Sequence, residues 1–156
     1  MLSVPASVGR MDAELVRVSD YRTFVSITTR WMDNDVYGHI NNVTYYSYFD
    51  TAVNLLLIRE GKLDIERAGV IALVVESKCT YRKPLAYPDA LKAGVRIDKL
   101  GKRSVTYGVG IFREGEEEAA ASGFLVHVFV DRETRKAVLI PGEIREGLVR
   151  VMGEAR

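Results

Sequence analysis

Residues Asp33–Asn42 read DNDVYGHINN. They join a run rich in β-branched and aromatic residues, Thr23–Met32 (TFVSITTRWM), to a long and mostly apolar run, Val43–Glu60 (VTYYSYFDTAVNLLLIRE). The first run has the composition of a strand. The second reads as a helix of about five turns, with Asn41 or Asn42 as its N-cap and Gly61 as the residue just past its end. That helix is apolar on most sides, so other structure must wrap it. The junction holds carboxylates at Asp33 and Asp35, Gly38, and His39, one of two histidines in the chain. An acid beside a helix N-terminus pairs a base or nucleophile with free backbone N–H groups and a positive dipole, which suit a developing oxyanion.

A short helical turn is expected around Asp64–Ala68, and then four strands: Val70–Arg82, Ala90–Leu100, Ser104–Arg113 and Glu118–Asp131. The prolines of KPLAYPD interrupt the first two, LGK separates the next pair, and EGEE makes a tight polar hairpin. Long strands joined by short turns imply an antiparallel meander. A turn at DRETRK, a short edge strand and a C-terminal helix from near Pro141 complete the chain. The runs Ile71–Val75 (IALVV) and Phe124–Val130 (FLVHVFV) lack the alternation of a sheet with one wet face. They point to a buried outer face or a contact between subunits.

Composition narrows the class. At 156 residues the chain is long enough for one domain with a real core. With 47% hydrophobic and 28% charged residues it reads as globular rather than disordered. The net charge of +1 offers no global attraction to nucleic acid or a membrane surface, so neither is expected as a partner. One cysteine, Cys79, makes no internal disulfide, which fits a cytoplasmic location. The N-terminus lacks a signal-peptide core, and no apolar run is long enough to span a bilayer. Residues 1–20 read as a loose lead-in to a single domain over 21–156. No cluster of cysteine and histidine suggests a metal, and no glycine-rich phosphate loop or G-x-S-x-G elbow occurs.

The strand, the DNDVYGHINNVTYYSYFD segment, the helix and the meander together resemble the hotdog fold, and more closely the acyl-CoA thioesterases related to 4-hydroxybenzoyl-CoA thioesterase. TYRKPLAYPD, LGKRSVTYGVGIFRE and FLVHVFVDRETRKAVLIP are similar to further segments of that family, in the same order. The resemblance implies an α+β fold in which an antiparallel sheet of five to six strands wraps a long central helix. It implies hydrolysis of an acyl-CoA to free acid and CoA, with no cofactor. It also implies a pocket built at a subunit interface, hence at least a dimer; the apolar outer face leans toward a tetramer.

By the same resemblance Asp35 is the catalytic carboxylate, as nucleophile or as general base, with Asp33 its rival. Asp33 is otherwise expected to face solvent or to pair with a base such as Arg30. The main-chain N–H at Asn42 would polarise the thioester carbonyl. Gly38 would let the backbone turn and the thioester approach, and His39 would orient the loop. Tyr45 reaches toward the pocket or sits in the core. Arg82, Lys83, Lys102 and Arg103 are candidate partners for the phosphates of CoA. His127 and Cys79 read as structural. Helix residues Val43–Phe49 carry no acid, which argues against the hotdog classes that use a helix carboxylate. The alternatives are a non-catalytic acyl-CoA sensor and a thioesterase acting on carrier-protein thioesters.

Overall fold

Helix α1 (Thr44–Gly61) is the axis of the molecule. In the computed structural model, which describes residues 15–154, it lies against one antiparallel sheet of β1 (Thr23–Thr28), β2 (Val70–Tyr81), β3 (Ala90–Leu100), β4 (Ser104–Arg113) and β5 (Ala121–Asp131). The strand order is β1-β3-β4-β5-β2. The meander β3-β4-β5 forms the middle, and the two strands that flank α1 in sequence form the edges. A second helix, α2 (Gly142–Glu154), packs on α1. This is the expected hotdog arrangement, with five strands.

The helix is wrapped because its apolar residues occupy more than one stripe. Phe49, Ala52, Val53 and Leu57 are fully buried. They belong to one cluster with Val95, Tyr107, Val109, Ile111, Leu125 and Phe129 of the sheet's inner face. Burying each Phe, Val or Leu contributes roughly 1.5–3 kcal/mol. The exposed side of α1 carries Ser47, Asp50, Thr51 and Arg59.

Several boundaries differ from the sequence expectation. The first strand ends at Thr28, and Trp31–Asp33 forms a single 3-10 turn. β5 starts at Ala121 rather than Glu118, because the preceding residues pair elsewhere. Val18 N–H donates to the Glu117 carbonyl (2.9 Å) and Ala119 N–H to the Val16 carbonyl (2.8 Å). The lead-in is therefore tied down from Val16 onward; residues 1–14 lie outside the described residues. Tyr21 then lies across the outer face, over Gly94 and Gly110, where any Cβ would come within 2.5 and 2.8 Å of its side chain. Phe24 and Phe112 meet the Tyr21 ring edge-on. After β5 the expected edge strand is only one bridge, Val130 to Ala137.

Gly61 is the last residue of α1, not the residue beyond it. The left-handed position falls to Lys62 (φ 53, ψ 34). Leu63 N–H reaches back to the Leu57 carbonyl (3.2 Å) and closes the helix end. Gly61 is small for another reason: a Cβ there would sit 3.3 Å from the Ile144 backbone. At Gly147 of α2 a Cβ would fall 2.0 Å from the Glu60 carbonyl oxygen. The two helices thus touch backbone to backbone.

β2 pairs with β5, and its other edge has no partner among the described residues. A bulge sets Val75 out of register. Leu73, Val74 and Val75 are 37%, 48% and 60% exposed, although they lie mid-strand. Here lies the reason for the lost alternation in IALVV.

Candidate active site

The two carboxylates of the DNDVYGHINN loop serve different ends. Asp33 is buried. Its Oδ2 accepts hydrogen bonds from the Tyr48 hydroxyl (2.8 Å) and the Arg30 N–H (2.9 Å), while Oδ1 takes the Arg30 guanidinium at 3.4 Å. The pairing with Arg30 is present and the solvent-facing alternative is not, because Tyr48, fifteen residues on, closes over the acid. Burial, together with that hydrogen bond, pushes the Tyr48 hydroxyl well above the ordinary phenol range. Asp33 also accepts the Asn41 N–H on its main-chain carbonyl (2.9 Å). It is the post on which the loop is hung.

Asp35 shapes the turn and faces an opening. Its Oδ1 accepts the N–H of Tyr37 (2.8 Å) and, more weakly, that of His39 (3.5 Å), an Asx turn. Its N–H donates to the His39 carbonyl (2.8 Å), and Gly38 N–H donates to its carbonyl (3.1 Å). Gly38 stands at φ +82, where a side chain would be strained. The turn uses only one carboxylate oxygen; Oδ2 has no partner among the described residues. An open cavity of about 740 Å³ is bounded by Asp35, Gly38, Asn41 and Asn42, with Trp31, Val36 and Tyr37 as its apolar wall. The His39 side chain is exposed and does not line it; that residue holds the loop through its backbone.

The start of α1 leaves one amide over. Ile40 N–H donates to the Leu85 carbonyl (2.7 Å), Asn41 N–H to Asp33, and Thr44 N–H to the Asn41 carbonyl (2.9 Å). Val43 N–H donates to the Asn41 side-chain oxygen (3.1 Å). The Asn41 side chain thus closes the turn that leads into the helix, whose N-cap position is Val43, without a side-chain cap, rather than either asparagine. In this run of five amides, that of Asn42 alone has no acceptor among the described residues. Asn42 also borders a second cavity of about 250 Å³, with Tyr45, Tyr81, Arg82 and Lys83 in its wall. Asp35, Gly38, Asn42, Tyr45, Arg82 and Lys83 are thus gathered around the N-terminus of α1.

Tyr45 is buried, its ring edge-on to Tyr48 and Tyr81, and burial raises its hydroxyl to about 12. Arg82 donates to the Ser122 hydroxyl (2.5 Å). Lys83 is engaged by Glu118 (3.5 Å) and Glu116 (3.9 Å). Lys102 and Arg103 stand apart, exposed on the β3–β4 turn. The Arg103 carbonyl accepts from Phe129, near the end of β5, whereas Arg82 meets Ser122 near its start. Tyr81 is not among the site residues read from the sequence, although it is the second residue of the TYRKPLAYPD segment. Its hydroxyl donates to the Asn42 carbonyl at 2.8 Å.

His127 and Tyr107 lie away from this site, beneath α1. His127 is 1% exposed; its Nδ1 is 3.3 Å from the Tyr107 hydroxyl, and burial lowers its pKa to about 4. Burial likewise raises the Cys79 thiol to about 11. No group of side chains able to hold a metal ion occurs among the described residues, and none of the described helices is long and apolar enough to cross a membrane.

The family profile described as the thioesterase-like superfamily matches residues 29–148, from the end of β1 into α2 and including every residue of the site. The chain belongs to that superfamily. Among its thioesterase relatives, the long-chain acyl-CoA thioesterase FadM of Escherichia coli K12 is 30% identical over 123 residues, 78% of this chain and 93% of that protein. The crystal structure of the PA5185 protein of Pseudomonas aeruginosa PAO1 matches with a TM-score of 0.87 at 48% identity, covering 88% of this chain and 96% of that one. The SAV2348 protein of Staphylococcus aureus, solved in complex with CoA, shares the fold at 16% identity, with a TM-score of 0.77 over 84% of each chain. As a member of this thioesterase superfamily the protein is a thioester hydrolase.

Proposed function

We propose that the protein hydrolyses acyl-CoA thioesters, with Asp35 supplying the attack and the Asn42 N–H receiving the oxyanion. The observation that carries this reading is that Asp35 and the unspent amide of Asn42 border one cavity. The thioester carbonyl would lie between them. Asp35 removes a proton from water as the water oxygen bonds to the carbonyl carbon, and negative charge moves onto the carbonyl oxygen at the helix N-terminus. Collapse of that intermediate breaks the C–S bond and releases CoA, with the proton returned to sulfur. In the nucleophilic variant an Asp35 oxygen makes the first bond, and water then cleaves the mixed anhydride. Either scheme uses only this chain's groups and water. CoA is preferred to a carrier protein as the leaving group because FadM, 30% identical, is named for acyl-CoA.

The site is completed by a second copy. An exposed twelve-residue edge strand with apolar side chains is a surface that proteins ordinarily cover. Two-fold antiparallel pairing of β2 with its copy would set the Val70 end of one against the Tyr81 end of the other. Lys102 and Arg103 lie toward the Val70 end, so the partner subunit's Lys102 and Arg103 would approach Arg82 and the Asn42 cavity. This pairing supports a shared basic rim for the CoA phosphates. The half-exposed Phe124, Val126 and Val128 of the outer face support a further pairing of dimers into a tetramer.

Thiol release from short, long and aromatic acyl-CoAs, measured for wild type and Asp35→Asn, tests the reading. Wild-type turnover that falls about a hundredfold or more in the variant is expected for loss of a positioned base. Binding without turnover across the panel overturns the enzyme and favours a sensor. Turnover that survives the substitution moves the attack away from Asp35.

A further inference from the structure

The oxyanion amide must be held in place by something other than the substrate, and two of the three bonds on the peptide units around it are made between neighbours in sequence. The third comes from across the fold. Tyr81, the last residue of β2, donates its hydroxyl to the Asn42 carbonyl at 2.8 Å. That carbonyl belongs to the peptide unit whose N–H, on Val43, is taken by the Asn41 side chain (3.1 Å). The unit is therefore gripped at both ends. The unit before it, which carries the Asn42 N–H, is held through its own carbonyl by Thr44 N–H (2.9 Å). Between them these bonds leave Asn42 little freedom in φ or ψ. The Tyr81 ring is itself fixed, edge-on to Tyr45 at 5.1 Å and 84°. Both rings share the smaller cavity with Asn42.

We infer that Tyr81 is a positioning residue for thioester hydrolysis: its hydroxyl locks the first turn of α1 so that the Asn42 amide stays aimed at the reacting carbonyl oxygen. This rests on the proposed function. Preorganised donors are effective because no reorganisation is needed when charge develops. A donor that still exists but wavers should lose part of that effect, and the loss should fall on the transition state rather than on substrate binding. The tyrosine also links the strand that forms the exposed edge to the end of the helix that carries the chemistry.

The test is Tyr81→Phe, which keeps the ring against Tyr45 and removes one hydroxyl. Two readouts are taken. With the acyl-CoA that wild type turns over best, kcat is expected to fall about tenfold, less than the hundredfold or more for deleting such a donor, while KM stays within about twofold. Without substrate, amide hydrogen exchange followed by NMR is expected to quicken at Val43 and Thr44 while β3 and β4 stay as in wild type. A tyrosine that merely lines the pocket would raise KM and leave exchange alone, and that result overturns the inference. Unchanged kcat beside an active wild type overturns it too, with the proposed function intact. A wild type that turns over no acyl-CoA overturns the proposed function and the catalytic role of Tyr81 together.

Discussion

His127 should make the fold sensitive to mild acid. It is buried, its cross-strand neighbours are Val74 and Val105, and Tyr107 is its one polar partner among the described residues. Its folded pKa of about 4 lies below the value of roughly 6.5 expected in the unfolded chain. Between those two values the unfolded chain binds a proton that the folded chain does not, so stability falls as pH drops through the window. Above it this contribution is constant, and below about pH 4 it levels off. Integrating between about pH 7 and about pH 4.5 gives a loss of about 2 kcal/mol. For a chain of this size that corresponds to roughly 5 °C or somewhat more in Tm. The assay is urea unfolding of wild type and His127→Phe at both pH values and one fixed protein concentration. Phe leaves the Tyr107 hydroxyl unpartnered, a cost of about 1–3 kcal/mol at either pH. Surface carboxylates titrate in both proteins and cancel. The stability advantage of wild type over the variant should therefore shrink by about 2 kcal/mol on acidification. An advantage that stays constant would refute the argument that His127 is held neutral by burial.

Two further outcomes follow from the site and the edge strand. Tyr48→Phe removes the hydroxyl that serves buried Asp33, and chemical unfolding should show a loss of about 1.5–3 kcal/mol, the range for a hydrogen bond to a charged group; equal stability would mean that solvent replaces it. Val75→Lys places a charge on the exposed bulge of β2; if the proposed β2 pairing holds, light scattering should show a dimer or larger for wild type and a folded monomer for the variant, with thioesterase activity lost in step. A monomer of full activity would separate the site from the interface.

The sequence was most informative where local chemistry sets structure. β3 and β4 end where expected because Gly101 and Glu114–Gly115 interrupt them. The Asp35–Gly38 turn is a local hydrogen-bond motif, and so is the Asn41 turn before the helix, although the N-cap position itself falls on Val43. What was hidden depends on distance along the chain. Asp33 looks like a strand-end charge until Tyr48 is known to cover it. Tyr81 and Asn42 are 39 residues apart. Glu118 reads as strand, but its backbone bridges Arg17 of the lead-in. Gly61 has the residue type of a helix terminator, yet its smallness serves the close approach of α2, a requirement that no local pattern encodes.

That approach makes α1 mechanically lopsided. At its far end Gly147 lets the Glu60 carbonyl come so near that not even a methyl group fits between, and Arg150 grips the same carbonyl (2.9 Å). At its near end the joints are made by side chains: Tyr45 packs edge-on to Tyr81, the Tyr48 hydroxyl bonds Asp33, and the Tyr81 hydroxyl holds the Asn42 carbonyl. The first joint is backbone on backbone and admits no added atom, whereas the second is built of side chains that substitution can resize. Substitutions among those side chains can therefore adjust the aim of the helix start while the backbone clamp at its other end stays put.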